Sequence, residues 1–465
     1  MTAFFRAIFI KKERISGAPF DESDREKALY RAEKLSEMIK VPTVSVRGST
    51  DLSKIYEFHD CLEKLFPNIH KTLEKTDIDG ALLFRWKGTD PKRKPILLMS
   101  HQDVVEASGS WKYPPFDGKI EKGKIWGRGT VDTKGALCAI LESVEQLLSE
   151  NFTPSCDVYI ASSNNEEITG DGAVKTVEYL YEKGIFFDLV MDEGGNVVAD
   201  EGGLPSSAMI GIFEKGRANV KFIAHSHGGH ASVPFKNNPF ARLAKLIDIM
   251  ETRPPFKKRL TKPVREMYKA MSPYMGFRDR FFYGNLWLFG PIAPYVMAKK
   301  GGQANAQIST TCIFTQAEGS HGANVIPETA SVTANMRFML HQGLKSSLKR
   351  VFKIADKLDI WVEMISGYDI PPVADMNTYA YKHVVESVKK DFGEIPVIPY
   401  VMLAGTDARH YTKICDCVLR FVPLVMTDRQ LSSEHAIDEN LDVSALSRAV
   451  DFYMDFIKSY NSFPG

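Results

Sequence analysis

The sequence predicts an α/β fold, a mostly parallel sheet with helices on both faces, interrupted by an inserted α+β domain. Three observations predict it. Short, nearly continuous apolar runs stand at residues 81–84, 96–99, 158–162 and 189–191, as strands buried on both faces require. Helical periodicity falls between two of them, at residues 136–150, and strands separated by helices imply a mostly parallel sheet. From about Glu214 the pattern changes, and after about Tyr368 it returns.

The elements follow in order. Residues 24–40 carry Ala28, Leu29, Ala32, Leu35 and Ile39 at helical spacing, and Val41-Pro42 closes that helix. Residues 136–150 place Leu137, Ile140, Leu141, Val144, Leu147 and Leu148 on one helical face. In the changed segment, 220–224 reads as a strand, 240–250 as a helix, 308–314 and 331–338 as strands, 343–358 as a helix and 360–365 as a strand. That is βα, an aromatic insertion at about 251–302, then ββαβ. The last part reads as a helix at 377–390, strands at 397–401 and 418–423, and a helix at 442–460. The domain expectation is 1–213 and 369–465 for the split α/β domain and 214–368 for the inserted one.

Composition narrows the function. The 465 residues include 59 basic and 58 acidic ones, and 44% are apolar. A general nucleic-acid binder should carry a basic excess, so no nucleic-acid partner is expected. Six cysteines without a CxxC pair fit a reducing cytoplasm rather than a disulfide framework. Residues 1–14 have a short apolar stretch followed by basic residues, the reverse of a secretory signal. Residues 281–298 are uncharged, but Gly284, Gly290, Pro291 and Pro294 interrupt them. They read as a buried or partner-covered insertion, and no membrane partner is expected. Its Phe281, Phe282, Tyr283, Trp287 and Phe289 are expected to pack within the insertion, the alternatives being that they line an apolar substrate pocket or cover the dimer.

Acidic and histidine residues recur just after predicted strands, where open α/β sheets bind ligands. His101 and Asp103 are two apart, so an extended chain points both to one side. A metal-bound imidazole usually donates its other N–H to a carboxylate, and this pair supplies both parts. The run 126–135, WGRGTVDTKG, sets Asp132 in a glycine-rich loop before a helix. Glu166 and Glu167 are adjacent carboxylates, costly unless cations compensate them or one stays protonated. Asp192 ends a strand in MDEGG, and His435 lies in SSEH before the last helix. Each alone equally suits a capping or structural role. Together they balance. Asp132, Glu167, Asp192 and a hydroxide offset two divalent ions, while His101 and His435 add nitrogen donors, a mixed set suited to zinc.

These segments resemble the M20 family of dinuclear metallopeptidases, which includes aminoacylase-like enzymes, carboxypeptidases and dipeptidases. The matching runs are SHQDVV, WGRGTVDTKG, NNEE, MDEGG, SHGGHASVP, NVIPETASVTANMR, AGTDARHY and SSEHAIDEN. They extend from about residue 28 to the C-terminus. The resemblance implies that His101 and Asp192 hold one metal, that Glu167 and His435 hold the other, and that Asp132 bridges them. It makes Glu166 the general base and Asp103 the residue that orients His101. The inserted domain would be a ferredoxin-like lid and dimerisation domain. Its His230 would stabilise the oxyanion. Asn324 would lie in a matching lid segment, and Arg337 would grip a substrate carboxylate bidentately. Gly405 would offer backbone N–H groups to that carboxylate. Arg409 would either help or pair with a structural acid. The family often carries Asp or Met where Thr133 stands, and the peptide before that residue is commonly cis.

The implied reaction is hydrolysis of an amide, in a peptide or an N-acyl amino acid, next to a free carboxylate. A water bridging two divalent ions (zinc, or manganese or cobalt) would be activated by Glu166. The competing expectation is a catalytically silent protein that binds metal or peptide on the same fold. A homodimer through the lid is the expected assembly.

Overall fold

The computed structural model describes residues 13–460. The expectation for the start of the chain therefore falls almost wholly outside the described residues. The chain divides into two compact units. One comprises the described residues up to Phe213 together with 372–400 and 406–460, and the other comprises 214–371 and 401–405.

The larger unit is built on a ten-stranded mixed sheet. At its centre, Val158–Ser162, Ile96–Met99, Leu189–Asp192 and Val418–Arg420 lie side by side and parallel. Every residue of these four strands is buried, which explains their unbroken apolar runs. Antiparallel pairs flank this centre on both sides. Glu74–Ile78 and Ala81–Trp86 form a hairpin on one side, and Pro205–Glu214 pairs with Val418–Arg420 on the other. The parallel expectation thus holds for the centre of the sheet, while the edges make it mixed. Helices Arg25–Ile39, Lys134–Ser149 and Val443–Tyr460 meet around the fully buried Arg31. Its guanidinium donates to the Ser447 carbonyl, the Gln146 side chain and Asp451, each at 2.8 Å. A buried charge is tolerated only when paired in this way.

A separate three-stranded sheet has the order Asn440–Asp442, Lys124–Trp126, Lys119–Glu121. It brings the chain after His435 beside the loop that carries Asp132.

The smaller unit holds a four-stranded antiparallel sheet in the order Thr311–Glu318, Thr329–Phe338, Gly216–His225, Trp361–Tyr368. In chain sequence that is 2-3-1-4 with helices after the first and third strands, the split βαβ pattern of a ferredoxin-like domain. Alternate residues of Gly216–His225 are buried. Ala218, Val220 and Phe222 pack with Leu243 and Leu246 of helix Pro239–Thr252 and Val351 of helix Leu344–Asp356. The strand expected at 308–314 begins later, at Thr311, because residues 301–310 close the insertion.

That insertion folds into short helices at Lys262–Met271, Phe277–Tyr283, Leu286–Phe289, Ala293–Lys300 and Gly302–Ala306. No helix among the described residues is long and apolar enough to cross a membrane. As expected, several of its rings pack on one another. Tyr268 stacks on Tyr283 at 4.2 Å, and Phe289 meets Phe281 at 5.4 Å and Phe282 at 5.2 Å. Trp287 departs from the expectation and is 54% exposed.

Candidate active site

The parallel centre of the sheet places three acidic or imidazole segments at one edge. His101 follows strand Ile96–Met99, Glu166 and Glu167 follow Val158–Ser162, and Asp192 and Glu193 end and follow Leu189–Asp192. Asp132 enters from the glycine-rich loop before helix Lys134–Ser149. His435, at φ +58°, enters from the turn after Asp428–Leu431.

The side chains converge. Asp132 uses its two carboxylate oxygens separately: Oδ1 lies 3.0 Å from His101 Nε2, and Oδ2 lies 2.7 Å from His435 Nε2. The latter nitrogen is also 3.1 Å from Glu167 Oε2. One donor atom from each of His101, Asp132 and Glu167 lies within 4.8 Å of the others, and the same is true of His101, Glu166 and Glu193. Asp103 lies beneath this cluster. Its backbone carbonyl is 2.9 Å from His101 Nδ1, and its carboxylate accepts the Glu166 and Glu167 N–H groups at 3.1 and 3.2 Å. One buried acid thus orients an imidazole and the adjacent glutamates together. The Asp132-Thr133 peptide is cis, as in the family pattern, with Thr133 in place of the more usual residues.

Asp192 and Glu193 divide differently from the expectation. The Asp192 carboxylate turns to the Ala408 N–H, 2.8 Å away, and does not join the donor groups. Glu193 Oε1 instead lies 3.5 Å from His101 Nε2. Neighbouring residues on an extended chain face opposite sides, so only one of them can point into the cluster.

The electrostatics are those of crowded anions. Burial, reinforced by Asp407, pushes Glu166 well above the usual carboxylate range. Burial also lifts Glu193 well up and raises Glu167, and burial with Asp407 takes Asp192 to about 7. Hydrogen bonds to Asp132 and Glu167 lift His435 to about 10. Glu167 Oε1 is buried and has no hydrogen-bond partner. Mixed imidazole and carboxylate donors, an excess of negative charge and a buried carboxylate oxygen without a partner together fit divalent cations.

Sequence reasoning missed Glu439, which lies in the quoted run SSEHAIDEN. It is fully buried and braces the Asp132 loop. Its Oε1 accepts the N–H groups of Gly129, Val131 and Asp132 at 3.1, 2.7 and 3.1 Å, and its Oε2 accepts from Arg128 at 2.6 Å. The signal that could have found it is the pairing of an isolated Arg-Gly loop with an acid four residues beyond His435.

The remaining expected residues lie as follows. Arg409 belongs to the larger unit and is buried. It donates to the Thr406 carbonyl and lies 3.9 Å from Asp407. His230 and Asn324 lie in the smaller unit and are brought together by the pairing of Gly229–His230 with Val325–Ile326 and by the Ala231 N–H donating to the Asn324 carbonyl at 2.9 Å. The Ser232 N–H donates to His230 Nδ1 at 3.2 Å, so a neutral ring carries its proton on Nε2. Arg337 lies on strand Thr329–Phe338 and is held by Asn335 Oδ1 at 3.0 Å. Gly405 stands against Tyr368 and Glu214, both of which also face Arg337. A Cβ at Gly405 would overlap the Tyr368 hydroxyl.

A carboxylate-rich cluster at the strand ends of a split α/β sheet, with a ferredoxin-like domain inserted, defines an amide-cleaving metallohydrolase of the peptidase type. Residues 97–459 match Peptidase family M20/M25/M40, and the chain belongs to that family. It is 32% identical over 442 residues to a probable carboxypeptidase S-like 2 of Dictyostelium discoideum, covering 92% of this chain and 84% of that one. It is 30% identical over 461 residues to the N-fatty-acyl-amino acid synthase/hydrolase PM20D1 of Mus musculus, covering 96% and 91%. Among solved structures, its fold is similar to the M20 family metallo-carboxypeptidase Sso-CP2 from Sulfolobus solfataricus, with TM-score 0.69, 21% identity and coverage of 93% and 99%.

Proposed function

We propose that this M20 hydrolase cleaves an amide next to a free carboxylate, in an N-acyl amino acid or a small peptide, with two divalent ions, zinc first. The observation that carries the proposal is Asp132, whose two oxygens each face a different histidine while the Glu166, Glu167 and Glu193 carboxylates gather around them. His101, Glu193 and Asp132 would hold one ion, and His435, Glu167 and Asp132 the other. Bound there, the ions would supply Lewis acidity and a water acidic enough to ionise near neutral pH. Glu166 is the proton carrier. Its carboxylate would accept the proton that the activated water gives up and return it to the leaving amine nitrogen. Asp103 holds His101 and the backbone of both glutamates in place throughout. His230 Nε2–H would donate to the oxygen that gains charge as the carbonyl is attacked. Arg337, oriented by Asn335, would take the substrate carboxylate. The names of the carboxypeptidase-like and N-acyl-amino-acid relatives share this feature, a free carboxylate beside the cleaved amide.

The test is a panel of dipeptides and N-acyl amino acids of increasing acyl length, each with a free or amidated carboxylate. Turnover should require added metal, vanish with chelator and fall when the carboxylate is blocked. Glu166→Gln should retain metal and lose about 10²- to 10⁴-fold in rate. A near-normal rate for that variant would refute the assignment. We also propose that the smaller unit pairs with a second copy along its sheet, where Ile313, Trp361, Met364 and Ile365 are exposed. Sedimentation of the Trp361→Glu variant as a monomer would support this, and an unchanged dimer would refute it.

A further inference from the structure

The insertion carries an outward apolar surface. Trp287, Pro291 and Tyr295 recur every four residues, and Leu288, Ile292 and Val296 recur beside them. All six are exposed, with Tyr295 at 71% and Ile292 at 51%. Leu286, Ala293, Pro294 and Met297 between them are buried. The backbone is nearly continuous helix across Leu286–Phe289 and Ala293–Lys300. Gly290 N–H donates to the Leu286 carbonyl at 2.8 Å, and Val296 N–H donates to the Ile292 carbonyl at 3.2 Å. The two rows therefore form one outward apolar stripe. Each row continues into an exposed lysine, Lys299 and Lys300.

Charge identifies what could cover the stripe. Residues 252–317 hold eleven basic and two acidic residues, a net +9, in a chain whose formal net charge is +1. From residue 280 through 317 there is no acidic residue at all. Arg265 approaches Gly290, and Lys300 lies 3.3 Å from the Tyr283 hydroxyl, so cations border the stripe. A second copy is disfavoured. Around a two-fold axis the same patch meets itself, and this patch would face its own positive charge. A nucleic acid would match the charge but leave the aliphatic side chains without a partner. An anionic lipid surface satisfies both properties, because apolar and aromatic side chains enter the headgroup boundary and cations meet the phosphates.

We propose that the outward face of Leu286–Phe289 and Ala293–Lys300 docks on an anionic lipid surface, lying on it rather than spanning it. The experiment is flotation of the whole protein with vesicles of phosphatidylcholine alone and with phosphatidylserine added. Binding is expected only with phosphatidylserine and should weaken as salt rises. The double variant Lys299→Glu/Lys300→Glu should lose about 30-fold or more in partitioning. Trp287→Ser/Ile292→Ser should lose binding as well. Because all four side chains are exposed, both variants should keep the parent's circular dichroism and its hydrolysis of a water-soluble substrate. No binding to either vesicle overturns the proposal. So does binding that both double variants retain. Dimerisation that Trp287→Ser/Ile292→Ser abolishes, without vesicle binding, makes the face a subunit interface. Retention of RNA in place of vesicles makes it a nucleic-acid site, and either result overturns the lipid assignment.

Discussion

Replacing Glu439 by Gln should weaken metal binding and the fold together, although Glu439 itself holds no metal. Its carboxylate is fully buried and satisfies three backbone N–H groups and Arg128. Glutamine offers one acceptor oxygen and one NH₂. If the oxygen stays with the Val131 and Asp132 N–H groups, the NH₂ faces the Arg128 guanidinium. If the amide flips, the NH₂ faces those backbone donors. Either orientation sets donor against donor and leaves the Arg128 charge buried without its partner. Breaking a buried ion pair costs about 3–5 kcal/mol. The loop released is the one that presents Asp132, so metal affinity should fall about 10- to 100-fold, the usual effect of removing a residue that orients a ligand. The assay is metal titration against a competing chelator, with urea unfolding measured at one fixed free-metal concentration because bound metal itself stabilises the folded state. Adding Arg128→Met to Glu439→Gln should recover part of the lost stability, since the stranded charge is removed. A Glu439→Gln variant that binds metal as tightly as the parent and unfolds within about 0.5 kcal/mol of it, the range of an ordinary surface substitution, would refute the reasoning.

If the proposed pair of ions is bound, Glu193→Gln should cost one of them by elemental analysis, whereas Asp192→Asn should keep both, because an amide oxygen can still accept the Ala408 N–H. The reverse result would restore Asp192 as the ligand. Gly405→Ala should displace the Tyr368 hydroxyl beside Arg337 and lower kcat/KM by about 100-fold with metal content unchanged; unchanged kinetics would separate Gly405 from the site. Asp391 tests pH dependence. Burial, with Asp455 next, raises its carboxyl from 3.8 to about 7. The folded state then binds more protons than the unfolded one between those values, so Asp391 should make stability fall as pH rises from about 4 to about 7. Urea midpoints across that window should flatten in Asp391→Asn, and an unchanged slope would remove Asp391 as the cause.

The centre of the fold was legible because its strands are covered on both faces. Ile96–Met99 and Val158–Ser162 appear in the sequence as bare apolar runs with the boundaries the structure shows. Helices such as Arg25–Ile39 and Val443–Tyr460 were legible from one-sided burial. The candidate donor residues stood out only together, because acids and imidazoles recur after several apolar strands, whereas each alone suits a structural role as well. The choice between Asp192 and Glu193 was not legible. It depends on which way a two-residue alternation is phased at the strand end, and both side chains are acids. Glu439 was hidden because its partners are mostly backbone N–H groups, which carry no residue identity. The insertion's helices were obscured by Gly284, Gly290, Pro291 and Pro294, which break periodicity into turns of four to eight residues.

The order of strands in the larger sheet also constrains how the protein is made. Val418–Arg420 pairs with Leu189–Asp192 on one side and Pro205–Glu214 on the other. Both neighbours leave the ribosome more than 200 residues before the strand that joins them. At about 5–20 residues per second that is a wait of roughly 10–45 s, during which the whole inserted domain can fold. Two edges with unpaired backbone groups, and a set of carboxylates without His435 or the Glu439 brace, must persist through that interval. A nascent chain stalled before residue 418 should therefore be a chaperone client, and the protein should become resistant to protease only once residues 418–460 have emerged.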